Sequence, residues 1–212
     1  PGSNNAPMDR PRHFSMIREL HLADFLTLGN AACGVGAVFL AMLYVETKWP
    51  VHFFIACALA PCAFAFDVFD GKVARMLHEH SALGRELDSL ADVISFCLAP
   101  AAIAYACGMQ GFYDRAILAY FVACGVSRLA RYNVTAEALS GGTGKVAYFD
   151  GTPIPTSIVL VAMLAAAAYA GAIGDALWLG SIEVAGSRLH WLTLAFAVSG
   201  SLMISRFRIP KI

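Results

Sequence analysis

Residues 67–92, in a chain of otherwise apolar segments, read DVFDGKVARMLHEHSALGRELDSLAD and contain Asp67, Asp70, Asp88 and Asp92. On α-helices, the first two aspartates lie three residues apart and the last two lie four residues apart, so each pair occupies one face of its own helix. A hairpin between the helices brings Asp70 level with Asp88 and places the other two aspartates one layer deeper. The stretch therefore predicts four carboxylates that converge in a small volume.

The composition around this stretch is that of a membrane protein. The 212 residues are 58% hydrophobic and 14% charged, with a mean hydropathy of +0.64, whereas about 25% charged residues is typical of soluble domains. Runs of about 20 apolar residues are long enough to cross a bilayer core of roughly 30 Å. Six such runs lie near 24–45, 50–76, 82–107, 113–133, 154–174 and 189–206. We therefore expect an all-α integral membrane protein with six transmembrane helices.

The remaining segments predict no second domain. Residues 1–7 are polar and are interpreted as vector-derived, ahead of a native start at Met8. Between Phe14 and Leu22, apolar residues alternate with charged ones, which is typical of a short amphipathic helix lying on the headgroups before the first span. Residues 8–212 are then expected to form a single membrane domain.

The distribution of lysine and arginine predicts the orientation, because cytoplasmic loops are enriched in both. The side that holds the N-terminus collects Arg10, Arg12, Arg18, Lys72, Arg75, Arg85, Arg128, Arg131, Lys145, Arg206, Arg208 and Lys211, and the other side collects Lys48, Arg115 and Arg188. We expect a protein of the inner (cytoplasmic) membrane, with both termini and the aspartates at the cytoplasmic face. The net charge of zero provides no global basic field for nucleic acid, so we expect no nucleic-acid partner.

Four ionised carboxylates at membrane depth repel one another and require cations or retained protons. Mg²⁺ and Mn²⁺ prefer hard oxygen ligands, and two such ions about 3.5–4 Å apart stabilise in-line displacement at phosphorus. Gly71, Ala74 and Gly84 would allow a phosphate to approach the backbone closely, although small residues also let membrane helices pack together. Arg75 can offer a bidentate fork to a phosphate. The stretch thus predicts two divalent cations and a phosphate-bearing substrate.

The same stretch resembles, at every fixed position, the signature of the CDP-alcohol phosphatidyltransferase family: Asp67, Asp70, Gly71, Ala74, Arg75, Gly84, Asp88 and Asp92, with the family's spacing. The resemblance implies a six-helix membrane enzyme, typically a homodimer, in which an alcohol displaces CMP from a CDP-linked lipid. It implies that the first three aspartates hold the metal ions, and that Asp92 shares one ion and acts as general base. The CDP-lipid would contact Asp67, Gly71, Ala74, Arg75 and Gly84. Asn30, an amide on the apolar first span, is a further candidate contact for the cytidine, or else makes a helix–helix hydrogen bond.

The acceptor alcohol has to be predicted from other segments. Residues 26–30, 84–92, 127–133 and 148–155 are similar to those of the membrane-embedded phosphatidylserine synthases within the family. That resemblance implies transfer of a phosphatidyl group from CDP-diacylglycerol to L-serine. Serine carries a carboxylate and an ammonium, so the site needs a cationic fork. We expect Arg128 to bind the carboxylate, with Arg131 as its companion, although either arginine could instead be an anchor of the positive-inside kind. Asn133 or the backbone near Gly151 would receive the ammonium.

Two other functions remain open at this stage. The acceptor could instead be inositol phosphate, glycerol phosphate or choline, although a phosphorylated acceptor would need a denser basic pocket. A cation transporter would also bury carboxylates, but it would distribute them through the bilayer depth rather than at one face.

The segment 134–152 contains GGTGK at 141–145, which lacks the first glycine and the Ser or Thr of a P-loop. We interpret this segment as a loop that closes over the site.

Overall fold

The computed structural model describes residues 22–77, 82–140, 148–205 and 208–210, with side chains at 22–77, 83–135 and 151–205. The protein is mostly helical. Its seven α-helices in the described ranges are α1 (Leu22–Thr47), α2 (Pro50–Leu77), α3 (Ala82–Asp92), α4 (Ala99–Cys107), α5 (Phe112–Ser140), α6 (Ser157–Tyr169) and α7 (Thr193–Ile204). The predicted interfacial helix, residues 1–7 and the GGTGK segment lie outside the described residues.

Helices α1 and α2 form an antiparallel hairpin that packs through small residues. Buried positions on both helices recur every three or four residues, which is the period of one helix face. On α1 these positions include Thr27, Asn30, Gly34, Ala37, Ala41 and Tyr44, and on α2 they include Phe53, Ala56, Ala60, Ala63 and Asp70. Small side chains let the two backbones approach closely. The packing sets the first turns of α1 beside the last turns of α2.

The next span changes its helical type midway. A π-helical segment, Val93–Leu98, joins α3 to α4, and the amide of Ala99 donates to the carbonyl of Ile94, five residues back. Pro100, which has no amide hydrogen to donate, lies just beyond this segment. The π segment begins directly after Asp92, so the face of α3 that carries the aspartates is out of phase with α4. Such segments occur frequently at functional sites.

Helix α5 returns along the bundle and packs against α7 and the π segment. A Cβ built on Gly125 would lie 2.2 Å from Cys97 Sγ, so only glycine permits this contact. The rings of Phe121 on α5 and Phe196 on α7 meet edge to face, with centroids 5.3 Å apart. Helix α6 follows a 3₁₀ turn, Ile154–Thr156. These contacts complete a helical core around the π segment.

Two short antiparallel sheets, which were not expected from the sequence, join the helices. Strand β2 (Ser181–Val184) pairs with β3 (Ser187–His190), and β1 (Tyr148–Asp150) pairs with β4 (Arg208–Pro210). The β2–β3 turn has Ala185 and Gly186 at φ +46° and +77°. Positive φ at both central residues is the conformation that suits the twist of a two-residue hairpin.

The helices lie where the sequence predicts them, with three differences in their bounds. Helix α5 continues through Ser140, so part of the expected 134–152 loop is helical. Helix α6 stops at Tyr169 rather than near 174, ahead of Gly171 at φ +73°, and glycine in this conformation terminates helices. Helix α7 begins at Thr193 because 187–190 form a strand.

Three helices in the described part of the chain are long and apolar enough to cross a membrane: Leu22–Thr47, Pro50–Leu77 and Leu83–Cys107. The last of these combines most of α3 with the π segment and α4. Ile154–Tyr169 and Thr193–Ile204 are shorter apolar helices. The chain is therefore an integral membrane protein by the length and composition of its helices.

Candidate active site

Three of the four predicted aspartates converge between α2 and α3. Carboxylate oxygens of Asp67, Asp70 and Asp88 all lie within 4.8 Å of one another. Asp70 is buried, and the other two are half-buried. The α1–α2 packing holds one wall of this site, and α3 supplies the other. The sequence spacing thus predicts the convergence of these three side chains correctly.

Asp92 lies one helical turn beyond Asp88 and outside this group of three. Its Oδ1 accepts a hydrogen bond of 3.2 Å from Nδ2 of Asn30 on α1. Asn30 is fully buried, and its own Oδ1 has no partner among the described residues. The amide that was predicted to meet the cytidine is therefore turned towards the fourth aspartate, with one oxygen still able to accept a hydrogen bond.

The donor set at the three aspartates suits hard divalent cations. Carboxylate oxygens are the ligands that Mg²⁺ and Mn²⁺ prefer. Oδ1 of Asp88 is buried with no hydrogen-bond partner in the part of the chain that the structure describes, and a buried anionic oxygen without a partner carries a large desolvation cost. A cation between α2 and α3 would remove this cost.

The small residues of the signature lie around the carboxylates. Gly71 follows Asp70 on α2, and a Cβ built on it would meet nothing within 4 Å. The missing side chain therefore leaves open space beside the site instead of serving a close helix contact. Ala74 and Gly84 are half-buried, and Arg75 is exposed near the end of α2. A bulky anionic group can approach the backbone here.

The predicted acceptor residues lie on the part of α5 that faces α3. Arg128 is half-buried, its Nε has no hydrogen-bond partner among the described residues, and Asp92 is its principal opposite charge. Asn133 Nδ2 donates to Ser89 Oγ at 3.0 Å and approaches the Glu86 carboxylate at 3.4 Å. Arg131 is exposed. Arg128 and Asn133 thus lie beside the aspartates, and Arg131 lies at the rim.

Sequence reasoning missed several polar residues that contact the site. Thr27 donates to Asp70, Ser95 donates to the backbone of Asn30, and Ser89 and Glu86 meet Asn133. The sequence could have indicated Thr27 as a site residue, since it lies on the same face as Asn30 in an apolar helix. It could not have indicated Ser95, because the π segment decides which way that side chain points.

Comparison with known proteins agrees with this geometry. The sequence profile described as CDP-alcohol phosphatidyltransferase matches residues 20–199. The chain belongs to the CDP-alcohol phosphatidyltransferase family. The match includes α1 to α6, the carboxylate site and the first half of α7.

The chain is similar to several proteins that are named for reactions with serine. The chain is 42% identical to a CDP-diacylglycerol–serine O-phosphatidyltransferase of Saccharomyces cerevisiae, over 94% of this chain and 74% of that protein. It is 39% identical to a protein of the same name from Helicobacter pylori, over 60% of this chain and 52% of that protein. An archaetidylserine synthase of Methanothermobacter thermautotrophicus is 36% identical over 66% of this chain and 55% of its own length. The chain thus spans about half the length of the second and third of these relatives.

Proposed function

We propose that the protein transfers a phosphatidyl group from CDP-diacylglycerol to the hydroxyl of L-serine, with release of CMP and formation of phosphatidylserine. The observation that carries this proposal is the convergence of Asp67, Asp70 and Asp88 within 4.8 Å, with Asp92 and Arg128 next to them. Family membership supports the reaction class. The relatives from Saccharomyces cerevisiae, Helicobacter pylori and Methanothermobacter thermautotrophicus are all named for reactions with serine, which supports the acceptor.

Two divalent cations, Mg²⁺ or Mn²⁺, are the proposed cofactors. Asp67, Asp70 and Asp88 would hold them, and Asp92 would share one. When bound, the ions would neutralise the pyrophosphate oxygens and the charge that develops on the leaving CMP. The oxygens of the three aspartates and the buried, unpartnered Oδ1 of Asp88 fit such a site.

Asp92 is the proposed general base of the reaction. The serine hydroxyl is a weak nucleophile near neutral pH, so a carboxylate within hydrogen-bond reach assists it. Asp92 takes the hydroxyl proton while the serine oxygen forms a bond to the phosphatidyl phosphorus. The bond between that phosphorus and the bridging oxygen breaks, and CMP leaves with this oxygen. Asp92 then releases the proton to solvent.

The acceptor pocket is proposed to lie between α3 and α5. Arg128 is proposed to bind the serine carboxylate, because this half-buried side chain lies near Asp92 and its Nε has no hydrogen-bond partner in the described part of the chain. Asn133 would receive the ammonium through its side-chain oxygen, and Arg131 would attract the substrate from the rim. Binding both charged groups of serine would direct its hydroxyl towards Asp92.

The CDP-lipid is proposed to lie along the open side of α2. Asp67 would bind its pyrophosphate through the metal ions, and the open space at Gly71 admits the phosphates. Ala74 and Gly84 keep the approach clear, and Arg75 can reach an outer phosphate oxygen. Asn30 Oδ1, which is buried and accepts no hydrogen bond from any described residue, is retained as a candidate contact for the cytidine.

The membrane arrangement is also a proposal: six spans, with the site and both termini at the cytoplasmic face of the inner membrane. The end of the bundle opposite the aspartates exposes an aromatic group typical of a membrane–water interface: Trp49, Phe112, Tyr169, Trp178 and Trp191. Among the residues whose side chains the structure describes, the aspartate end carries Lys72, Arg75, Arg85, Arg128 and Arg131, and the opposite end carries Lys48, Arg115 and Arg188, which supports a cytoplasmic position for the aspartate end. The proposed assembly is a homodimer in the lipid bilayer, after the family's usual form.

The test is an assay of the purified protein with CDP-diacylglycerol and Mg²⁺ or Mn²⁺. We expect CMP release only when L-serine is added, with phosphatidylserine formed in equal amount. Release with inositol phosphate, glycerol phosphate or choline, and not with serine, would contradict the acceptor assignment but leave the metal-dependent displacement intact. Metal-dependent cation uptake into vesicles, without CMP release, would favour a transporter instead.

A further inference from the structure

Helix α1 supplies a hydrogen bond to each of two site carboxylates, from side chains one helical turn apart. Thr27 Oγ1 donates to Asp70 Oδ2 at 2.8 Å, and Asn30 Nδ2 donates to Asp92 Oδ1 at 3.2 Å. Thr27 is 4% exposed and Asn30 is 0% exposed. The Thr27–Asp70 bond is thus buried and the Asn30–Asp92 bond is partly buried, and away from water a donor holds a carboxylate in one orientation more strongly than it does at the surface.

The Thr27 hydroxyl has one hydrogen and two acceptors within reach. Its 2.8 Å contact with Asp70 is shorter than its 3.2 Å contact with the carbonyl of Ala23. A threonine hydroxyl in a helix commonly bonds the carbonyl four residues back. Here the shorter contact to the carboxylate indicates that the hydroxyl fixes the Asp70 side chain.

Asn30 is itself fixed by the π segment. Ser95 Oγ donates to the Asn30 carbonyl at 2.8 Å, and Ser95 is 1% exposed. A Cβ built on Gly34 would lie 2.5 Å from Ser95 Oγ, so glycine at this position allows α1 and the π segment to touch. Ser95, Asn30 and Asp92 therefore form a continuous chain of contacts that sets the position of Asp92.

The two supported carboxylates differ in their surroundings. Asp70 belongs to the group whose oxygens lie within 4.8 Å of one another, whereas Asp92 lies outside it and is close to Arg128. In the proposed function, which this inference depends on, Asp70 is one of the three principal metal ligands, whereas Asp92 shares one ion and accepts the serine proton. Because the oxygens of the other three aspartates would still hold the ions, a side chain that orients Asp92 alone should affect mainly turnover, and one that orients Asp70 should affect mainly metal affinity.

We propose that Thr27 and Asn30 are positioning residues with separate effects: Thr27 sets the affinity for the divalent cation through Asp70, and Asn30, held by Ser95, sets the rate of turnover through Asp92. Residues that orient metal ligands typically change metal affinity or activity by about 10–100-fold when they are removed. The inference gives Asn30 a role that differs from contact with the cytidine. If Asn30 positions Asp92, removing its side chain should lower kcat. If Asn30 contacts the cytidine, the same change should instead raise the KM for CDP-diacylglycerol.

The test compares near-isosteric variants, Thr27→Val and Asn30→Leu, in detergent-purified protein. Mn²⁺ is titrated in two ways: by the rise in thermal unfolding midpoint without substrate, and by CMP release with serine. For Thr27→Val we expect the half-saturating Mn²⁺ concentration to rise about 10–100-fold in both titrations. At saturating Mn²⁺, its kcat should fall by less than about threefold, since it acts on binding rather than on the proton transfer.

For Asn30→Leu we expect the opposite pattern. Its kcat should fall about 10–100-fold, with Mn²⁺ half-saturation and the KM for both substrates changed by less than about threefold. Ser95→Ala should show the same pattern with a smaller loss. Thr27→Ser retains the hydroxyl and should restore the metal affinity. A rise in KM for CDP-diacylglycerol with kcat unchanged in Asn30→Leu would assign Asn30 to the lipid and overturn its positioning role.

The matched control is Thr193→Val, which removes another buried hydroxyl that donates to a carboxylate, that of Asp114, at 2.8 Å. It should lower the unfolding midpoint without changing Mn²⁺ half-saturation or kcat. If Thr27→Val and Asn30→Leu behave like this control, or lower affinity and turnover together, the proposal is wrong. If the wild-type protein shows no serine-dependent CMP release, the proposed function fails, and the thermal titration still decides the role of Thr27.

Discussion

Buried carboxylates occur at both ends of helix α5, and they differ in how completely they are hydrogen-bonded. At the first end, Asp114 is fully buried and accepts four hydrogen bonds, from the amides of Gly111 and His190, the His190 ring and Thr193 Oγ1. At the other end, about 28 Å away along the helix at 1.5 Å per residue, Asn133 contacts α3. There Asp67, Asp70 and Asp88 face one another, and Asp88 Oδ1 has no partner among the described residues.

The difference separates a structural carboxylate from a functional one. Asp114 caps the first turn of α5 and fixes the β2–β3 hairpin to it, so all its acceptor capacity is used inside the protein. At the other end, Asp70 accepts a bond from Thr27, but Asp88 Oδ1 has no partner among the described residues and is left to accept from a group that the protein does not supply. A buried anion that is satisfied stabilises the fold, whereas one that is unsatisfied costs stability until a cation binds.

The largest expected effect is the loss of activity on Asp88→Asn. The substitution removes one of the three converging charges, so we expect turnover to fall by about 1,000-fold or more, equivalent to about 4 kcal/mol. In metal-free buffer, the unfolding midpoint should stay equal to that of the wild type or rise, because like-charge repulsion decreases. CMP release and thermal unfolding measure these effects. A clear fall in the midpoint would show that Asp88 is a structural carboxylate like Asp114.

The reciprocal change is Asp114→Ala. It leaves two backbone amides, a histidine and a threonine without their acceptor, and breaking such a buried network costs about 3–5 kcal/mol. Chemical denaturation should show this loss, whereas the turnover per folded molecule should stay within about twofold of the wild type because the site is remote. Loss of turnover in the folded fraction would contradict the distinction between Asp114 as a structural carboxylate and the aspartates at the other end of α5 as functional ones.

Metal binding should stabilise the protein through Asp67, Asp70 and Asp88, and Asp114 should take no part in it. At about 100 times its dissociation constant, a ligand adds about 2.7 kcal/mol to the stability of the folded state. We expect Mn²⁺ to raise the unfolding midpoint of the wild type and of Asp114→Ala by similar amounts, and a chelator to reverse both shifts. Asp88→Asn should show little of this shift. An equal shift in all three proteins would place the bound metal elsewhere.

The smallest expected effects come from adding one methyl group at two glycines. A Cβ built on Gly71 would have none of the described atoms within 4 Å, whereas a Cβ built on Gly34 would lie 2.5 Å from Ser95 Oγ. Gly71→Ala should therefore keep the fold but lower turnover about 10-fold, or 1.4 kcal/mol, because the methyl group enters the space proposed for the phosphates. Gly34→Ala should lower stability by about 1–3 kcal/mol through overpacking. Thermal unfolding and CMP release of both variants check the contrast.

The sequence predicts much of the site because the information is local. The spacing within 67–92 decides which side chains share a helix face, and the length of the apolar runs decides that α2 and α3 are neighbours. The positions of Asp67, Asp70 and Asp88 follow from these two facts alone. The helices themselves also follow from the runs, apart from their ends.

The remaining contacts depend on tertiary packing that no local pattern shows. The partnership of Asn30 with Asp92 requires α1 to lie against the π segment, and the π segment is not visible in the hydrophobic pattern. The β2–β3 hairpin and its contacts with Asp114 join residues 76 positions apart or more. Arg115 and Arg188 in this region were expected only to mark the orientation, and the role of the buried Asp114, which directly precedes Arg115, was not predicted.

The π segment has a consequence for any attempt to align or redesign this span. Its hydrogen bond reaches five residues back instead of four, so the segment holds one residue more than the same length of α-helix would. Drawn as a regular α-helix with every residue kept, the span would rotate the aspartate face of α3 by about 100° relative to α4, the angle between successive residues on a helix. Deleting a single residue from Val93–Leu98 would let the segment tighten into a regular α-helix, and the tighter winding would offset the missing residue, so Asp88 and Asp92 would still face their partners. A gap of one residue at this point in an alignment is therefore compatible with an intact carboxylate site.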